Sequence, residues 1–229
     1  MSLDSGAVPP YLDIVKKNDL IIGKTVTVKK TAKKKNAYHH GDLREALLAA
    51  AEKILRRNGL AALTLRAIAR EAGVSHGAPA HHFRDMTDLL SELAAIGFRR
   101  LEADLRRSIA HADGRDFPAG RAYLSFATRN PDLFALMYRD ELLDAKNTSL
   151  AGARKGTLTF LFEVMNVPAE GATMEQMGAL TARLCVVLGF SILVGDGLIK
   201  MVQRYAPPGT KNDQLLMAAM AAVNEASAA

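Results

Sequence analysis

The sequence predicts an all-α protein. Strong helix formers, alanine above all, dominate it; apolar residues make up 49% with no tryptophan; and Gly and Pro fall where apolar stripes stop. With 229 residues, an apolar share of that size supports a substantial core in one or two domains.

Residues 1–41 read as a basic, flexible N-terminal arm. Pro9-Pro10 interrupts structure early, LIIGKTVTV (20–28) has strand composition without a partner, and KKTAKKK (29–35) is a charge run that does not fold alone. Helical punctuation begins at Asp42, whose spacing to Glu45 is that of a capping pair. Leu43, Leu47, Ala50, Ala51, Ile54 and Leu55 make the first apolar stripe, and Asn58-Gly59 ends it. Thr64 caps a second helix, with Leu65, Ile68, Ala69 and Ala72 inward and Gly73 as its stop. A third helix, capped by Ser75, is expected to run to about Phe83.

Asp85, supported by Asp88, caps a long fourth helix reaching about Ala112. Asp116 and Pro118 open a fifth, ending at Asn130, and Pro131 suits the first turn of a short sixth, PDLFALMYRDEL. A seventh covers about 149–165. Thr173 with Gln176 caps an eighth that reaches about Arg204, Pro207-Pro208-Gly209 turns the chain, and a ninth runs over 213–226.

The charge is unevenly placed. Residues 1–41 carry +5, residues 42–84 carry +3 and the rest −2, for a net +6. A basic N-terminal third on a mildly acidic body points to a polyanion as its partner. The lone Cys185 excludes an intramolecular disulfide and fits a reducing compartment; its apolar neighbours predict a buried, inert thiol. No signal peptide is legible. The longest uncharged apolar run, LCVVLGFSILVG (184–195), is shorter than the ~20 residues a bilayer requires, so it reads as a buried helix and no membrane partner is expected.

The second and third helices, joined by a tight glycine turn, have the helix-turn-helix pattern. Gly73 is needed there because the turn takes a positive φ, and Val74 pins it to the core. A short second member fits the DNA major groove with its N-terminal residues at base edges, while the helix begun by Thr64 aims free amides at a phosphate. Pro79 is tolerated within the first turn and should pack inward.

Residues 42–90 resemble the DNA-binding domain of the TetR family of bacterial transcriptional regulators. The resemblance is carried by AAEKILRRNGLAALTLRAIAREAGVSHGAPAHHF and the capped DMTDLL that follows. It implies a three-helix DNA-binding domain over 42–86 and a helical ligand-binding and dimerisation domain over 87–229. It also implies roles for named residues. Thr64 meets a phosphate; Arg66 reaches a base or a phosphate; Ser75 begins the reading helix; His76, Gly77 and Ala78 face bases; His81 and His82 lie on or near the backbone. Two positions depart from the family pattern: Ala80 stands where Tyr is usual and Met86 where Lys is usual, so both phosphate contacts are in doubt. The basic arm is the expected compensation.

In the body, AYLSFATRNPDLFALMY and GFSILVGDG partly resemble a C-terminal subfamily with a Trp-His-Gly signature, of which only Gly189 remains; Leu184 and Leu188 stand at the other two positions. Tyr123, Phe126, Met137, Phe162 and Met165 are the expected lining of an apolar effector cavity. Wide apolar arcs on the eighth helix (Val186, Val187, Phe190, Leu193, Val194, Leu198) and the ninth (Leu215, Leu216, Ala219, Met220, Val223) predict a twofold homodimer reading a palindromic DNA operator. The resemblance thus implies a cytoplasmic, nucleoid-associated repressor, not an enzyme, released by a small hydrophobic effector and needing no cofactor or metal. Two alternatives are a DNA-binding regulator without small-molecule input and a histidine-dependent metalloenzyme. Against the latter, His76, His81 and His82 are five, six and one residues apart, whereas ligands on one helical face sit three or four apart.

Overall fold

A computed structural model describes residues 40–111, 117–168 and 170–226. The expected N-terminal arm and the Asp116 start signal lie outside these. Among the described residues there are nine α-helices and no strand: α1 (His40–Asn58), α2 (Leu65–Ala72), α3 (Met86–Ala110), α4 (Pro118–Arg129), α5 (Pro131–Met137), α6 (Thr148–Val164), α7 (Met174–Gly195), α8 (Ile199–Gln203) and α9 (Asn212–Ala226).

The long α3 organises the molecule. Its buried positions Leu89, Leu93, Leu101 and Leu105 recur at helical spacing, and it packs against α1, α4, α5 and α6. At about 37 Å it is long enough to serve both the N-terminal module and the body. Asp85 caps it by accepting from Asp88 N at 2.8 Å. Gly97 lets α5 come close: a Cβ there would meet Met137 Sδ at 2.6 Å. In the N-terminal module, Leu47, Ala51 and Leu55 of α1 pack over Ile68 of α2 and Phe83. Glu71 holds Lys53 and Arg57 of α1, and Glu52 of α1 takes both amino groups of Arg100 on α3.

Several expected boundaries move. Helix α1 begins at His40, so Asp42 falls in its first turn rather than capping it. The sixth expected helix stops at Met137 and is followed by a separate 3-10 turn, Asp140–Leu142. The eighth is broken in two, because Gly197 adopts φ 72° and ends α7 before α8 starts. The α7 start is as expected: Thr173 and Gln176 form a reciprocal capping box.

Helix α7 is not the buried helix the composition predicts. At 22 residues and a mean hydropathy of 2.0 it is long and apolar enough to cross a membrane by those criteria alone. It instead lies against α4 and α9 and buries one side, with Leu180, Val187, Phe190 and Ser191 inward. Cys185 is exposed on the other side, so the expected buried thiol is corrected. Apolar neighbours in sequence do not bury a residue when α7 offers the core only one stripe.

Candidate functional site

The turn between α2 and residue 83 carries most of the candidate residues. Thr64 caps α2, its hydroxyl accepting from Ala67 N at 3.1 Å. At the other end Gly73 takes φ 72°; Val74 N donates to Ala69 O at 3.0 Å and Gly73 N to Arg70 O at 3.2 Å. Nothing would crowd a Cβ at Gly73, so the backbone conformation alone demands glycine.

The third helix expected over 75–83 is instead a 3-10 turn, Ala78–His81, with Gly77 before it and no side-chain cap from Ser75. Pro79 is the physical reason. It has no N–H to donate to Ser75, and the bonds around it span three residues: Ala78 N to Ser75 O at 3.0 Å, Ala80 N to Gly77 O at 3.2 Å and His82 N to Pro79 O at 3.0 Å, with a four-residue bond only at the exit, Phe83 N to Pro79 O at 2.9 Å. The ring packs inward as expected, buried beside Phe83.

Thr64, Arg66, Ser75, His76, Gly77 and His81 are exposed, while Ala78 and His82 are half-buried. Arg66, His76, His81 and His82 have no ion pair or side-chain hydrogen bond among the described residues. Several neighbouring cations are engaged: Arg44 with Glu92 at 2.7 Å, Lys53 with Glu71, and Arg84 with Asp88 and Asp144. The face around the turn therefore presents uncommitted donors. Met86, at the position usually held by Lys, packs against the core. Among the described residues no three His, Cys, Asp or Glu side chains group as metal ligands do.

The body holds two adjoining cavities among α3, α4, α6 and α7. One, of about 180 Å³, is lined by Phe98, Tyr123, Tyr138, Arg154, Leu184 and Leu188 among others. The other, of about 40 Å³, is wholly apolar at its surface and shares Tyr123, Leu161 and Leu184 with the first. Of the five expected lining residues, Tyr123 lines both cavities and Met165 the smaller. Phe126 and Met137 are core side chains, 1% and 0% exposed, and they and the half-buried Phe162 line neither cavity. Met137 packs against Gly97 of α3, and both Met137 and Phe126 belong to the main core.

Sequence reasoning found Tyr138 among the cavity aromatics but missed Arg154, Leu184 and Leu188 as lining residues. The Tyr138 hydroxyl is hydrogen-bonded to that of Tyr123, and its ring lies edge-on to Phe98 at 5.7 Å and tilted against Phe134 at 5.1 Å. Burial pushes the Tyr123 phenol well above its usual range, and the neighbouring Tyr138 adds to the rise. Burial also raises Tyr138, against the opposing pull of the Tyr123 hydrogen bond and the Arg154 charge. Both phenols stay protonated at neutral pH.

The outer side of α7 and α8 is apolar and bare. Ile192, Leu193, Leu198, Met201, Val202 and Tyr205 are 45%, 38%, 48%, 64%, 52% and 93% exposed. Val187, Phe190, Leu216 and Met220, expected at a dimer seam, are instead buried within the chain.

Comparison with known proteins gives this arrangement a context. The model for bacterial regulatory proteins of the tetR family matches residues 47–93. A solved structure of a protein of unknown function from Rhodococcus sp. RHA1 is 30% identical, with a TM-score of 0.67 over 84% of this chain and 98% of that one. A protein from Shewanella sp. PV-4, assigned to the TetR family of transcription regulators, is 20% identical, with a TM-score of 0.55 over 80% and 97% of the two chains. A transcriptional regulator from Pseudomonas aeruginosa PAO1 is also 20% identical, with a TM-score of 0.52 over 81% and 90%. The last two are likenesses of fold. No curated protein matches the chain.

Proposed function

The chain belongs to the TetR family of bacterial regulatory proteins and is a DNA-binding transcriptional regulator rather than an enzyme, and from that premise we propose that it is a repressor released from a palindromic operator by a small hydrophobic ligand. The observation that carries the reading is an uncommitted, exposed set: Arg66 in the first turn of α2, after Thr64, and His76 and His81 beyond the Gly73 turn. On this reading residues 42–86 form the DNA-binding module and residues 87–229 the regulatory body. Arg66 suits a guanine edge or a phosphate, His76 with Gly77 and Ala78 faces bases, and Thr64, Ser75, His81 and His82 take backbone contacts.

A recognition segment of one 3-10 turn offers few side chains, since Gly77, Ala78 and Ala80 are bare. The Lys-rich residues 29–35, outside the described structure, then supply phosphate contacts. The exposed apolar strip of α7 and α8, with α9 beside it, pairs with its copy in a twofold dimer. The effector occupies the cavity at Tyr123 and lowers DNA affinity by its preference for a different tilt of α3. The site of action is the cytoplasm, at the nucleoid.

Selection from random DNA duplexes tests this. An enriched inverted repeat is expected; enrichment of a single half-site would overturn the dimeric reading, and no enrichment would overturn sequence-specific binding. Removing residues 1–35 should weaken binding and flatten its salt dependence, and an unchanged slope would remove the arm from the interface.

A further inference from the structure

We propose that the 180 Å³ cavity takes an apolar carboxylic acid, and that Arg154 holds the carboxylate in exchange for its contacts with Met137 and Asp140. This deepens the reading above and rests on it for the consequence at DNA.

The cavity is apolar with one cation and no carboxylate in its lining. The Arg154 guanidinium lies 5.5 Å from the centre of the Phe98 ring, folded over the cavity wall. Its Nη2 alone makes both hydrogen bonds, to Met137 O at 3.1 Å and Asp140 Oδ1 at 2.5 Å, which leaves Nε and Nη1 uncommitted among the described residues. Both bidentate edges of the planar fork, Nε with Nη2 and Nη1 with Nη2, include the engaged Nη2; once it gives up Met137 O and Asp140, either edge offers a carboxylate two parallel bonds. The competing carboxylate is weakly placed: the Asp140 side chain is 80% exposed, so water screens the existing pair. A carboxylate that brings its own apolar body into the cavity meets the same cation in a drier setting. The protonated hydroxyls of Tyr123 and Tyr138 lie at the same wall, whereas the Thr157 hydroxyl is occupied by Phe98 O and Ala153 O. Size limits the body to about one ring, since an apolar cavity of about 150 Å³ accommodates a benzene.

The same contacts give the acid a route to the DNA module. Met137 ends α5, Asp140 opens the 3-10 turn, and four residues later Asp144 binds Arg84, directly after the recognition turn. Drawing Arg154 from Met137 and Asp140 loosens one end of a short segment whose other end fixes Arg84. Both sites then bias one physical element.

Calorimetry on the full chain with 4-ethylbenzoate, its primary amide and 4-ethylbenzylamine tests the assignment. The acid is expected to bind at least tenfold more tightly than the amide, and the amine least. Arg154→Gln should bring the acid to the level of the amide while leaving the amide's affinity within twofold, which also shows that the variant folds. Asp140→Asn, removing the competitor, should tighten the acid severalfold. Equal binding of acid and amide, preference for the amine, or no binding of any probe overturns the proposal. Acid binding without a change in duplex affinity overturns the coupling to DNA. A chain that binds the acid but no duplex overturns the regulator reading and leaves the ligand class standing.

Discussion

Arg84 Nη2 lies 2.6 Å from Asp144 Oδ2, joining the residue before the Asp85 cap of α3 to the loop before α6. The bond is one strand of a network. Asp88 accepts from Arg84 N at 3.1 Å and from Asn147 Nδ2 at 3.1 Å; Asn147 also donates to Glu92 at 3.1 Å and caps α6 through Leu150 N at 2.8 Å. Asp144 N donates to Ser91 Oγ at 2.8 Å, and Glu92 reaches Arg44 on α1 at 2.7 Å. Three segments of the chain, α1, the start of α3 and residues 144–147, are thus held by one set of charge-assisted bonds.

Asp144→Asn should loosen this junction locally. Backbone amides of residues 140–147 are expected to exchange with solvent severalfold faster, with α7 and α9 unchanged. Arg84→Ala, which also removes the pair with Asp88, should do at least as much, and the double variant should be no worse than Arg84→Ala alone, because the Arg84–Asp144 bond is already lost there. Hydrogen exchange by mass spectrometry reads this out; uniform acceleration along the chain would show global destabilisation instead.

Acid should open the same junction. Hydrogen bonds from Arg84 hold the Asp144 carboxyl below its ordinary value. Burial pushes Asp88 upward but is outweighed by hydrogen bonds from Arg84 and Asn147; for Glu92 it is outweighed by those from Arg44 and Asn147. Each folded-state value is depressed, so the stabilisation is present above the unfolded values of 3.8 for Asp and 4.5 for Glu and is lost as pH falls through the lower folded values. The melting temperature should be flat from pH 7 to about 5 and drop below about 4.5, with a shallower drop in Asp88→Asn. The phenols act at the other extreme. With Tyr123 and Tyr138 raised above 10.0, stability should decline as pH rises past that value.

Gly97→Ala should destabilise the joint of α3 with α5 by about 1–3 kcal/mol. The added Cβ would sit 2.6 Å from Met137 Sδ, 2.8 Å from its Cγ and 3.3 Å from Leu133 Cγ. Met137 is 0% exposed and has nowhere to retreat. Adding Met137→Ala should recover part of the loss, so urea denaturation of the double variant should show less than the sum of the singles. An additive result would mean that the two residues do not crowd each other.

His76→Ala should relax base preference more than it weakens nonspecific binding. A lost base contact costs about 1–3 kcal/mol of discrimination, and the comparison is between the selected duplex and random duplex at one salt concentration. Equal losses on both would place His76 on the backbone instead.

The local marks of this fold are readable along the chain because they act over three or four residues. The caps at Thr64, Asp85 and Thr173, the positive φ at Gly73 and the inward Pro79 follow from residue type and spacing alone. The eight candidate residues from Thr64 to His82 fall on α2 and the segment after it, where sequence neighbours are neighbours in space. Where local rules compete, the expectation failed. Ser75 marks a helix start, but Pro79 four residues on removes the bond that an α-turn would need, and a 3-10 turn results.

Residue type and spacing therefore account for the helical class, most helix ends, the basic N-terminal third and the Gly73 turn. Long-range packing set the rest. It brought Tyr123 of α4, Tyr138 beyond α5, Arg154 of α6 and Leu188 of α7 to one wall, and it carried Arg84 to Asp144 across 60 residues. It also turned Cys185 outward and sent Phe126 and Met137 into the core rather than the cavity. Periodicity says which residues share a helix face. Which face closes on a neighbour, which stays bare and where a gap remains depend on how whole helices pack, and no short window of sequence contains that.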